Sequence, residues 1–257
     1  GDVIAATLFG AENERYELTV DREGLLYFPG FGPITVSGLQ LSQVRQELET
    51  RVREQLIGVN VSITIQRLRG VQVFVLGEVD GPGAYTVDSM TTVTNALLLS
   101  GGVRRNGSLR RVELKRDGDL VARLDVYDLL LRGDTRADVR LQNGDVIFVP
   151  PIGDVVGIEG EVIRPALYEL RSERTVGELV ELAGGLLPEA QAGTAQLERI
   201  GEDSLRTLID LDLASAEDRQ LRLRNGDVLR VSPVPDIARG IVTLSGHVRN
   251  PREFAWR

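Results

Sequence analysis

"QNGDVIFVPP", Gln142 to Pro151, decides how this chain is built. Asn143-Gly144-Asp145 is a tight-turn signal, Val146-Ile147-Phe148-Val149 is a run of strand formers, and Pro150-Pro151 stops it. Nearly the same phrase returns as "RNGDVLRVSP", Arg224 to Pro233, and "GDVI" opens the chain at Gly1. A phrase that recurs at a fixed distance marks a duplicated structural unit.

Other landmarks keep the same register. "VFVLGEVDGPGAYTV" (Val73 to Val87) aligns with "VGIEGEVIRPALYEL" (Val156 to Leu170), so that Gly77 and Gly160, Pro82 and Pro165, and Tyr85 and Tyr168 each lie 83 residues apart. Gly101-Gly102 and Gly184-Gly185 keep that spacing, and the Asn-Gly-Asp turns lie 82 apart. A third copy begins at "VTLSGHVRNPREFAW", where Gly246, Pro251 and Phe254 follow Gly160, Pro165 and Tyr168 by 86. It breaks off at Arg257, so both ends of the chain read as cut.

Each full copy reads as a strand, a turn at Asp80-Gly81-Pro82-Gly83 or its equivalent, a second strand and then a short helix. In copy two, Thr175-Val176-Gly177-Glu178 is a capping box, and Val176, Leu179, Val180 and Leu182 share one helical face. Copy one has Val93, Ala96, Leu97 and Leu99 there, with Asn95 where the box wants glutamate, so its cap is weaker. Two more strands follow, and the opening phrase supplies the last. The fold class is α+β: tandem β-grasp-like domains, each a mixed sheet with one main helix. The first seventy residues share the style. Turns at 21–24 and 29–33 separate three strands, apolar Val44, Leu48, Val52 and Leu56 predict a helix over 41–57, and an alternating strand follows over 59–66. The expected domains are 1–69, 70–152 and 153–238, with the start of a further repeat at 239–257.

Composition narrows the function. A chain of 257 residues with 42% hydrophobic and 26% charged residues is globular, and its net charge of −8 argues against nucleic acid, whose phosphates need clustered Lys and Arg. No apolar run approaches the roughly 18 residues of a membrane-spanning helix. There is no cysteine, which removes thiol chemistry and disulfides, and His247 is the only histidine, which removes a His-rich metal site and a His-based triad.

"DREGLLYFPGFGPITVSGLQLSQVRQEL" resembles the N-terminal domain of bacterial outer-membrane polysaccharide export proteins. "GEVDGPGAYTV", "LLLSGGV" and "NGDVIFVP" resemble soluble-ligand-binding β-grasp (SLBB) domains, in the order in which that family places them. The resemblance covers nearly the whole chain. It implies a periplasmic, outer-membrane-associated ring oligomer that conducts capsular polysaccharide or exopolysaccharide. It implies an inner-membrane polysaccharide co-polymerase as partner, no cofactor and no enzymatic activity. Two departures from the family stand out: these residues hold no lipidated N-terminal cysteine and no membrane segment after the third repeat begins, so either both belong to parts of the protein outside them or this member lacks one. The rival reading is an SLBB module that holds a glycan without forming a pore; an enzyme acting on polysaccharide is a remote third.

Few residues stand out as a site. Glu78 and Glu161 recur because the repeat recurs, and a structural role suits them better than catalysis. Gly30-Phe31-Gly32-Pro33 and Gly81-Pro82-Gly83 lack the spacing of phosphate-binding loops and read as turns. Arg104, Arg105, Arg110 and Arg111 form the best basic cluster, either a solvated loop or a contact with an acidic polysaccharide or a neighbouring subunit. Aromatic residues are only 5%, and Tyr85, Tyr168 and Phe254 recur at one hairpin position, which points to packing and not to a ring platform for sugars. His247 reads as an ordinary strand residue.

Overall fold

The computed structural model describes residues 1–11, 13–201, 203–235, 241–244, 246 and 252–255. The chain divides into two compact units, Gly1–Ile152 and Gly153–Arg257.

The first unit holds two separate cores. In its first part, β1 (Val3–Gly10), β2 (Glu14–Thr19), β3 (Leu25–Phe28) and β4 (Gly32–Thr35) precede α1 (Leu41–Gln55) and β5 (Val59–Arg67). The order β2-β1-β5 is antiparallel throughout, and β3–β4 is a hairpin of its own, so this part has no mixed sheet. Alternation along β1 sends Ile4, Ala6 and Leu8 inward, where they join Leu26, Phe28 and Ile34 from the hairpin. The four-residue spacing along α1 puts Val44, Leu48 and Val52 on the same core. The helix ends earlier than the apolar spacing suggests. Leu56 is already extended, and Ile57 is 97% exposed in the turn that leads to Gly58.

The second part of this unit runs β6 (Gly70–Gly77), β7 (Gly83–Asp88), α2 (Val93–Leu99), β8 (Val112–Arg116), β9 (Asp119–Leu124), α3 (Val126–Arg132) and β10 (Val146–Val149). Its sheet order is β7-β6-β10-β8-β9. β10 lies parallel to β6 and antiparallel to β8, which makes the sheet mixed. The last strand written is thus the middle strand of the sheet, and that placement requires the intervening helix as a crossover. Val71, Val73 and Val75 from β6 and Ile147 and Val149 from β10 face the buried side, with Val93, Ala96 and Leu97 of α2 laid over them.

The second unit repeats this plan with β11 (Val155–Gly160), β12 (Ala166–Glu169), α4 (Val176–Leu182), β13 (Ala195–Ile200), β14 (Arg206–Leu211), α5 (Ala216–Arg219) and β15 (Val228–Val231), in the order β12-β11-β15-β13-β14. Isolated bridges recur as well: Val79 with Val103 and Val162 with Leu186, Thr92 with Arg140 and Thr175 with Arg222, Gly107 with Pro151 and Ala190 with Pro233. Beyond it, β16 (Ile241–Leu244) and β17 (Arg252–Ala255) form an antiparallel hairpin.

Each repeat has its one main helix, α2 or α4, laid on a mixed sheet; the structure adds a short second helix and differs at Leu99. The run written as the strand "LVARLDV" stops at Leu124, and Asp125 caps α3 by accepting the Tyr127 N–H at 2.9 Å; Gly133, at φ +67°, closes it. Ser215 caps α5 in the same place of copy two. Leu99, expected on the buried face of α2, is 62% exposed, because Val93, Ala96, Leu97 and Ser100 complete that stripe without it. The equivalent Leu182 is buried, and Arg164, which stands where copy one has Gly81, donates from Nη2 to its carbonyl at 3.2 Å.

The capping difference between the copies is real. Glu178 accepts the N–H groups of Thr175 at 3.0 Å and Arg174 at 2.6 Å, while Thr175 accepts the Glu178 N–H at 3.4 Å. Thr92 makes no such side-chain bond. Thr175→Ala is therefore expected to cost the second unit about 1 kcal/mol in urea unfolding, while Thr92→Ala stays within a few tenths. The hydrogen bond from the Arg174 N–H, followed by those from Thr175, holds the Glu178 carboxyl below the usual carboxylate range. A depressed folded value means stability that is present above the unfolded value, about 4.3, and lost as pH falls through the folded one. Glu178→Gln should remove that acid-side fall, read from melting temperatures between pH 3 and 7.

Candidate functional site

Each Asn-Gly-Asp turn carries a buried carboxylate. Asp145 is fully buried, and its carboxylate takes Arg116 through Nε at 2.7 Å and Nη2 at 2.9 Å. It also accepts the Gln142 N–H at 2.8 Å, while Asn143 Oδ1 accepts the Gln72 N–H at 3.0 Å. Copy two repeats the set: Arg199 to Asp227 at 2.9 and 2.6 Å, the Arg224 N–H to Asp227 at 2.8 Å, and the Val155 N–H to Asn225 Oδ1 at 2.8 Å. The hydrogen bonds to their aspartates hold both guanidiniums above the ordinary arginine value. The two ion pairs hold the turns against their own sheets, which is a structural role.

Two further sequence candidates are also structural. Glu78 Oε2 accepts from Asn106 Nδ2 at 2.6 Å, tying the end of β6 to a loop of the same domain. Tyr85 and Tyr168 donate their hydroxyls to the carbonyls of Gly81 at 2.5 Å and Arg164 at 2.7 Å, which closes each hairpin loop over its own ring. His247 and the side chain of Phe254 lie outside the described residues. Among the described residues, no group of three or more His, Cys, Asp and Glu is gathered as a metal site.

The arginine cluster does not present one face. Arg110 is only 5% exposed. Its Nε lies 3.0 Å from an Asp125 oxygen, and its guanidinium lies 4.7 Å from the centre of the Tyr127 ring. The expectation that Arg110 contacts polymer or a neighbouring subunit is thereby corrected: a buried arginine needs a buried partner, and Asp125, cap of the unforeseen helix α3, supplies it. Arg111 reaches the Pro151 carbonyl at 2.8 Å, and Arg104 lies 3.6 Å from Asp80. Arg104 and Arg105 are exposed.

The outward faces of the two repeat sheets differ although their folds agree. In copy one, Leu76 of β6 stands beside Phe148 of β10, with Phe74 next along the strand, and Phe74 and Leu76 are 37% and 39% exposed. At the same register copy two places Glu159 beside Arg230, an ion pair at 2.6 Å. Duplication kept the core and changed the surface.

One cleft, in the first unit, has no counterpart among the sequence candidates. Arg22 from the turn before β3, Arg69 before β6 and Arg140 before β10 converge there on a space of about 1040 Å³. The three are far apart in the chain, and only Arg140 has a counterpart, Arg222, in copy two.

Among the described residues, no helix is long and apolar enough to cross a membrane, a statement that does not extend to strands. A polysaccharide biosynthesis/export protein model matches residues 1–66, and SLBB domain models match 71–149 and 155–208. The polysialic acid transport protein KpsD of Escherichia coli is 29% identical over 236 residues, 90% of this chain and 41% of that protein. The EPS I polysaccharide export outer membrane protein EpsA of Ralstonia nicotianae is 30% identical over 192 residues, 73% of this chain and 50% of that protein. Its counterpart in Ralstonia solanacearum is 31% identical over 173 residues, 66% and 46%. The chain thus spans about half or less of the length of the curated relatives it matches. An export domain of antiparallel strands and one long helix, followed by duplicated β-grasp-like units, carries these likenesses in the same order, and the chain belongs to the outer-membrane polysaccharide export family, as a member with SLBB domains.

Proposed function

We propose that this chain is a periplasmic segment of an outer-membrane-associated conduit that exports capsular polysaccharide or exopolysaccharide. The observation that carries the reading is the order of its parts, matched over 90% of the chain to a transport protein. The mechanism is passive: domains 1–69, 70–152, 153–238 and the repeat that begins at 239 line a hydrated path, and the polymer is driven by its synthesis and by an inner-membrane co-polymerase. The chain performs no chemistry on the polymer. The full-length protein assembles as a homo-oligomeric ring, for which the apolar Phe74, Leu76 and Phe148 strip of the first repeat and the exposed Arg104 and Arg105 are the subunit or polymer contacts. Sparse aromatic residues suit a path through which polymer must slide.

The test is deletion of the full-length gene in its host. Surface polysaccharide should fall to background while polymer accumulates inside, and the full-length gene should restore display. Undiminished surface polymer in the deletion strain would overturn the reading. Native mass spectrometry of the full-length protein in detergent should give a closed oligomer; a monomer at high concentration counts against the ring.

A further inference from the structure

The chain carries a net charge of −8, yet the cleft in its first unit is lined by Arg22, Arg69 and Arg140 and by no carboxylate. None of the three makes an ion pair among the described residues. Asp2, Asp21 and Glu23 line the adjoining space with Arg22 and Arg69, but none of them lines this cleft, and an anion bound in it is attracted by all three arginines.

The arginines stand on fixed backbone. Arg22 sits in a turn held by Asp21 Oδ1, which accepts the N–H groups of Glu23 at 2.9 Å and Leu25 at 2.8 Å. The Arg69 N–H donates to Asp2 Oδ1 at 2.7 Å, and its carbonyl accepts the Ser89 N–H at 3.1 Å. Arg140 bridges to Thr92, flanked by the bonds from Val93 to Val139 at 3.2 Å and from Leu141 to Thr91 at 2.9 Å. Asn143, also on the wall, has its Oδ1 taken by the Gln72 N–H, which leaves its Nδ2 as a donor. The backbone beneath each arginine is therefore held, and no carboxylate lines the cleft.

No Phe, Tyr or Trp lines it, so a neutral sugar ring finds no stacking face. Its volume of about 1040 Å³ exceeds what a lone small anion needs and suits an oligomeric ligand. Guanidinium forks match carboxylates in shape as well as charge.

We propose that this cleft binds carboxylate groups of an acidic polysaccharide. The substrate class rests on the export reading; the anion preference rests on the arginines alone. Residues from the export domain, from the segment ahead of β6 and from the first repeat all contribute, so the site belongs to neither domain by itself.

The test is isothermal titration of the whole 257-residue chain at low salt with tetragalacturonate and with its fully methyl-esterified form. The acid should bind saturably and the uncharged ester at least about tenfold more weakly, and binding should weaken as salt rises. Replacing the three arginines by glutamine should cost about tenfold or more, and replacing them by lysine should recover part of it. All three are exposed, and unchanged melting curves would show that the variants fold. Equal binding of acid and ester, or binding indifferent to the glutamine variant, would overturn the proposal. So would displacement of the tetramer by sulfate at equal concentration, which would mark a general anion site. Failure here leaves the deletion phenotype untouched, and an export defect with no binding would sink the cleft alone.

Discussion

Gly77→Ala and Gly160→Ala should each destabilise their own unit by at least about 3 kcal/mol, enough to lower its melting temperature sharply or prevent folding. Both glycines have positive φ, +88° and +85°, which costs a side-chain-bearing residue roughly 1–2 kcal/mol. The steric clash costs more. A Cβ at Gly77 would lie 2.1 Å from the Val149 carbonyl oxygen, and one at Gly160 would lie 2.0 Å from that of Val231. These are backbone atoms of the central strand and are already engaged, accepting the N–H groups of Glu78 at 2.9 Å and Glu161 at 3.1 Å. Relief would require β6 to part from β10, or β11 from β15, along their parallel seams. Gly144→Ala is the control: its φ is also +88°, but nothing lies within 4 Å of the added carbon, so about 1 kcal/mol is expected. Urea unfolding followed by circular dichroism checks all three. Equal losses at Gly77 and Gly144 would show that backbone conformation alone matters and that the contact with Val149 relaxes.

The duplication, the hairpins and the long helix are legible in the sequence because they are written in local signals: turn residues, alternation and a four-residue spacing. The same register that aligns Gly77 with Gly160 aligns the bridges of the two sheets. α3 is not legible in the same way, because Val121 to Val126 alternates well enough to read as one strand, although Asp125 and Gly133 frame a helix of the right length. Arg110 reads as a surface residue for the same reason, since its buried partner Asp125 is visible only once that helix exists. The cleft of Arg22, Arg69 and Arg140 has no local signal. Three arginines scattered over more than a hundred residues become neighbours only through the fold, whereas the adjacent arginines that stand out in the sequence diverge.

Arg116→Met and Arg199→Met should cost about 3–5 kcal/mol each, the range for stranding one member of a buried ion pair. The two partners are not equivalent. Arg116 and Arg199 keep 26% and 13% of their side chains exposed, while Asp145 and Asp227 keep 0% and 1%. Without its aspartate, a guanidinium can swing to water; without its arginine, the carboxylate stays in the core with the single N–H of Gln142 or Arg224 against it. Removing the arginine should therefore cost more than Asp145→Ala or Asp227→Ala, for which about 2 kcal/mol is expected from the lost acceptor and the freed charge. The double variant Arg116→Met with Asp145→Ala should fall short of the sum of the single losses, because no charge is then left stranded. A full double-mutant cycle by denaturant unfolding decides this. Equal single losses that simply add would mean that the pair is solvated in the folded state, and that the Asn-Gly-Asp turn holds its place through Gly144 and the backbone alone.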